Sequence, residues 1–85
     1  MSKKANVPDG EYIVGQHIPA GNYKIERNTK RGTTQIIIYY PNGKHHSYII
    51  SGIGEIGNIM MSEGDTIKIN GGQVTFTPFT GIVFE

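Results

Sequence analysis

The chain contains no cysteine and no leucine. The first absence excludes a disulfide framework, thiolate zinc or iron–sulfur ligation and a cysteine nucleophile, and it suits a reducing compartment, since small secreted domains are commonly stapled. The second leaves the core to isoleucine: fourteen Ile, four Val and seven Thr carry the branching at Cβ that favours extended backbone over helix. Long stretches free of glycine and proline are missing too. The longest is the ten residues from Asn22 to Arg31, short for a globular helix. An excess of charge of one sign is also absent, because eight Lys plus Arg face seven Asp plus Glu for a net charge of +1. Such a balance supplies no strong field to collect nucleic acid, anionic membrane or acidic substrates. Finally, Met1-Ser2-Lys3-Lys4-Ala5-Asn6 leads into Val7-Pro8-Asp9 and not into an apolar run, unlike a signal peptide, and nothing approaches the roughly 20 apolar residues of a membrane-spanning helix. The expectation is a soluble, cytoplasmic protein.

What is present reads as β. Eighty-five residues suffice for one domain, expected over 9–85 behind a frayed basic start at 1–8, and a chain of this size hides only about 60–65% of its unfolded surface. Tyr12 and Val14 share one face of a first strand, and Tyr23 and Ile25 share one face of a second, with Ile18-Pro19-Ala20-Gly21 as the turn between them. Arg27-Asn28-Thr29-Lys30-Arg31-Gly32 reads as a polar, basic loop. After it, Gln35 to Tyr40 is the strongest strand, followed by Pro41-Asn42-Gly43 in the pattern of a type I turn closed by a bulge. That turn sets Tyr40 opposite Lys44, Tyr39 opposite His45 and Ile37 opposite Ser47.

Ser51 to Gly57 reads as a glycine-rich loop. Thr66–Ile69 and Gln73–Thr77 read as a hairpin about Asn70-Gly71-Gly72, with Ile67, Ile69, Val74 and Phe76 inward. Gly81 to Glu85 reads as a last edge strand. The fold class expected is all-β, a small antiparallel sandwich or barrel of seven to eight short strands.

The punctuation Gly10-x-Tyr12-x-Val14-Gly15-x-x-Ile18-Pro19-Ala20-Gly21-x-Tyr23, with Glu63-Gly64-Asp65-x-Ile67 and Gly71-Gly72-x-Val74, resembles a β-rich module of Gram-positive bacteria and their phages. The likeness covers mainly residues 9–26 and 63–76, and His17 stands where that module usually has Asp. It implies an all-β accessory or binding role and brings no catalytic residue.

The candidate chemistry is sparse. His45 and His46 are adjacent, so on a strand their imidazoles point to opposite faces and do not share an ion; His17 reads as a turn residue. Gly52-x-Gly54-x-x-Gly57 has the letters of a dinucleotide fingerprint but no helix after it. The carboxylates sit beside glycines or outward on strands, with Asp65 expected to hold turn amides. No metal, cofactor or enzymatic activity is expected.

The leading expectation is a non-enzymatic binding module that assembles with copies of itself through a hairpin apolar on both faces, with Ile37, Tyr39, Tyr40, Lys44, His45, His46 and Tyr48 as candidate interface residues. A specific version is a small phage-encoded protein that binds and inhibits a host defence component or sequesters a small ligand. The alternative is a single-stranded nucleic-acid-binding domain in which these tyrosines and histidines stack bases while Arg27, Lys30 and Arg31 hold phosphate.

Overall fold

Among the described residues the isoleucine-rich segments adopt extended backbone. In the computed structural model, which describes residues 5–78, six strands form one antiparallel sheet: β1 (Ala5–Val7), β2 (Gly10–Ile13), β3 (Gly21–Tyr39), β4 (His45–Met61), β5 (Thr66–Asn70) and β6 (Val74–Pro78). Among the described residues there is no helix, and so none long and apolar enough to cross a membrane. The all-β class is as expected. Among the described residues the strands number six and not seven or eight, because two expected loops are strand: residues 27–32 lie within β3, and the glycine-rich stretch 51–57 lies within β4. Ala5–Val7, within the segment expected as a frayed start, pair with β6, and Val7 is buried. The edge strand expected at Gly81 to Glu85 lies outside the described residues.

Pairing reduces the six strands to four rows. Along one edge of β3, β5 pairs with residues 35–39 and β6 with residues 23–26, so β5 and β6 run head to tail in the same direction. Beyond them β2 pairs with β5 and β1 with β6, again head to tail. Along the other edge of β3 lies β4 alone. The hairpin expected between β5 and β6 is therefore corrected: the two strands lie end to end along β3. Its inward residues stand, with Ile67, Ile69, Val74 and Phe76 all buried beside Ile25, Ile36, Ile38 and Met61.

Three of the four rows are interrupted or slip register at one level, the crease of the sheet, while β4 runs past it as one strand. The first row breaks at Pro8-Asp9, the second at Gly71-Gly72, and β3 slips register between Asn28 and Thr33, opposite the part of β4 around Gly52. Where ladders stop, backbone polar groups need other partners. Arg27 supplies them. It is only 3% exposed, its Nε donates to Thr34 Oγ1 (2.8 Å), its Nη1 to the carbonyls of Thr29 and Gly52, and its Nη2 to Arg31 O (2.7 Å). Thr34, fully buried, passes the connection on by donating to Gly72 O. From the first row, the Asp9 carboxylate accepts the N–H groups of Gly71 and Gly72.

Gly71 must be glycine for two reasons: its φ of +113° disfavours any side chain, and a Cβ there would lie 2.1 Å from Thr33 O, against backbone that cannot move aside. Gly71→Ala is expected to cost about 3 kcal/mol or more in urea unfolding. Arg27→Met, which strands three carbonyls, is expected to cost a similar ~3 kcal/mol or more, with Arg27→Lys intermediate because an ammonium lacks the planar fork. Unchanged unfolding midpoints would remove the crease as a stabilising feature.

Candidate functional site

The turn between β3 and β4 forms as its residues dictate. Tyr40 N–H donates to Lys44 O (2.8 Å), Gly43 N–H to Tyr40 O (3.0 Å), and Asn42 Oδ1 accepts from Lys44 N–H (2.9 Å). The register that follows is the expected one, Tyr39 opposite His45 and Ile37 opposite Ser47.

Because consecutive strand residues alternate, the seven hairpin candidates divide between the two faces. On the outer face stand half-buried Ile37, exposed Tyr39 and exposed His45, the last two 5.9 Å apart between ring centres. On the inner face His46 stacks on Tyr48 at 4.6 Å and 29°, while Tyr40 and Tyr48 pack against the core; Lys44 stays exposed in the turn. Tyr39 and Tyr48 therefore do not belong to one stacking platform. The basic loop also comes apart. Arg27 is buried, with four of its five N–H groups engaged inside the crease by the chain's own oxygens. Lys30 and Arg31 are exposed, but Arg31 lies eight residues before Tyr39, roughly 25 Å along extended chain.

His17 sits in the turn after β2, where its Nδ1 accepts Ile13 N–H at 2.9 Å. Asp65, buried, takes Ser62 N–H on its carboxylate and so closes the turn before β5.

The feature that sequence reasoning passed over is the free edge of β4. Tyr40 and Lys44 form a hydrogen-bonded pair, and alternation along an antiparallel ladder then aims the amides of His46, Tyr48 and Ile50 at β3 and those of His45, Ser47, Ile49 and Ser51 outward, where no strand among the described residues pairs with them. Along this edge Ile49, Ile53 and Met60 are 63%, 61% and 63% exposed. From His45 to Gly54 there is no proline and no Lys, Arg, Asp or Glu. Charge, proline and brevity are the means by which natural edges repel other strands. The opposite edge has all of these, being short, interrupted at Pro8-Asp9 and marked by Glu11.

Two tyrosines are held above their ordinary ionisation range. Burial raises Tyr23, and burial followed by the neighbouring Tyr40 raises Tyr48. A phenol whose pKa is higher folded than unfolded stabilises the fold below the unfolded value of 10.0 and loses that stabilisation as pH climbs through the folded value. Stability measured by denaturant titration should accordingly decline above pH 10. Tyr23→Phe, which removes the hydroxyl donated to Pro19 O, should be less stable by about 1 kcal/mol at neutral pH and show a shallower alkaline decline. An alkaline slope equal to that of the parent would exclude Tyr23 as a contributor.

Set beside family models, curated proteins and solved structures, the chain matches none of them.

Proposed function

We propose that the chain is a non-enzymatic binding module that works as an assembly of identical copies, joined by pairing of β4 with β4 of a second copy. The observation that carries this reading is the unguarded edge: a strand of seventeen residues with apolar side chains beside it and no charge or proline over its first ten positions. A strand is its own best partner when the two copies run antiparallel about a two-fold axis, because each residue then meets its counterpart's ladder groups in turn. Pairing would also extend the outer face, bringing Ile49 of each copy toward the other's Ser47 to Ser51 stretch. A second copy thus satisfies at once the unpaired amides and the exposed apolar area.

The likeness of residues 9–26 and 63–76 to a module of Gram-positive bacteria and their phages extends the proposal to a small protein that acts by occupying a partner, such as a host defence component, and not by chemistry. The nucleic-acid alternative is weakened by the division of its tyrosines between two faces and by the burial of Arg27.

Light scattering on a size-exclusion column should give an integral multiple, two or more, of the 9.4 kDa chain mass. Ile49→Lys, placed on an exposed position where it cannot disturb the core, should return the protein to single-chain mass with an unchanged far-ultraviolet spectrum. A parent protein that stays at single-chain mass at millimolar concentration would overturn the assembly.

A further inference from the structure

A cleft of about 680 Å³ opens on the side of the sheet away from β4, between β1, the turn that carries His17 to Ala20, and the end of β6. Its volume falls within the range of small-molecule sites. Three rings form its walls: Tyr12, Tyr23 and Phe76, the last two 5.8 Å apart and tilted by 50°. Among the described residues, no Asp, Glu, Lys or Arg contributes to the lining. A formally charged ligand would therefore lose its hydration there without a compensating partner.

The polar groups around the cleft narrow the chemistry further. Tyr12 Oη donates to Pro8 O at 2.6 Å and Tyr23 Oη donates to Pro19 O, so both hydroxyls are committed to the chain and both residues offer rings. Asn6 lines the cleft, but its Oδ1 accepts from Thr75 Oγ1 on the outer face. What remains is His17. Its Nδ1 is occupied as an acceptor of Ile13 N–H, which fixes the ring proton of the neutral imidazole on Nε2 and makes that nitrogen a donor.

We infer that this cleft is a binding site for a neutral, ring-bearing small molecule with one hydrogen-bond acceptor, its ring held among Tyr12, Tyr23 and Phe76 and its acceptor facing His17 Nε2. Aromatic walls favour a flat ring through offset and edge contacts, and a lone donor selects an acceptor such as a ketone or amide carbonyl over a hydroxyl-rich or ionic molecule. No residue of β4 lines the cleft, so the site stands whether or not copies of the chain pair through that strand.

The probe is prodan, a neutral naphthyl ketone whose emission rises and shifts to the blue in apolar surroundings. Titrated into the full chain, it should bind saturably with one molecule per chain and shift the amide resonances of Tyr23 and Phe76. Ala20→Trp, on an exposed position at the cleft's lining, should weaken binding at least tenfold, and Ile49→Lys on the distant edge should leave it unchanged. Emission that rises without saturation, amide shifts confined to β4, or loss of binding in Ile49→Lys would overturn the site. Should Ala20→Trp not fold, the amide shifts of the parent chain decide alone. Failure here with a multimeric mass would leave the β4 assembly intact, and the reverse pattern would leave the cleft intact.

Discussion

A single buried cation holds the crease on which the sheet turns. A charge out of water is costly unless dipoles fixed in place replace its hydration, and among the described residues Arg27 has no carboxylate partner. It is compensated instead by carbonyls at Thr29, Arg31 and Gly52 and by the Thr34 hydroxyl. Those acceptors come from the detour of β3, from β4 and, through Thr34, from the Gly72 end of the β5–β6 row. Arg27 and the crease thus require one another: the guanidinium satisfies the backbone that the ladders abandon, and the abandoned backbone solvates the guanidinium. Gly32 takes part by what it lacks, since a Cβ on it would come within 2.8 Å of Nη2.

Bending at one level gives each half of the sheet its own work. The half containing β2, β5 and the end of β3 buries Ile36, Ile38, Ile67 and Ile69, while the half containing β1, β6 and the start of β3 buries Tyr23, Ile25, Val74 and Phe76. A flat sheet of four rows would leave one apolar face open to water; the curl turns these two sets toward a shared interior. The outer face, with Glu11, Lys68, Gln35 and Thr75 at regular register positions, is polar apart from Ile13 at the end of β2 and the apolar residues beside β4.

Period-2 alternation made the inward residues of β5 and β6 legible in the sequence, and Pro41-Asn42-Gly43 made the β3–β4 register legible to the residue. Both depend on local chemistry. What local chemistry did not contain was the meaning of a glycine pair. Asn70-Gly71-Gly72 is a good hairpin turn, but β3 offers a ladder to both flanking strands and Asp9 offers acceptors to both glycine amides, so the pair became a straight-through crossing of the crease. Ser51 to Gly57 misled in the same way, with strand read as loop. Arg27 looked like a solvent-facing base because its acceptors are main-chain carbonyls, which every sequence contains and no sequence displays. The edge of β4 was hidden for a related reason: whether Ile49 is covered depends on which strand lies beside it, and that is decided by tertiary arrangement.

The adjacency of the first and last described strands has a kinetic meaning. Ala5 lies opposite Phe76 and Val7 opposite Val74, so the β1 row cannot pair until nearly the whole described chain has been synthesised, and such high contact order is associated with folding in milliseconds to seconds. During translation β3 and β4 can close first around their short turn, exposing isoleucine on both faces of a two-stranded ribbon while its remaining partners are still in the ribosome. A nascent chain in that condition is aggregation-prone. Arg27, whose acceptors at Thr29, Arg31, Gly52 and Thr34 all lie within β3 and β4, can already pin that ribbon in its bent form, shaping the template before β5, β6 and β1 arrive.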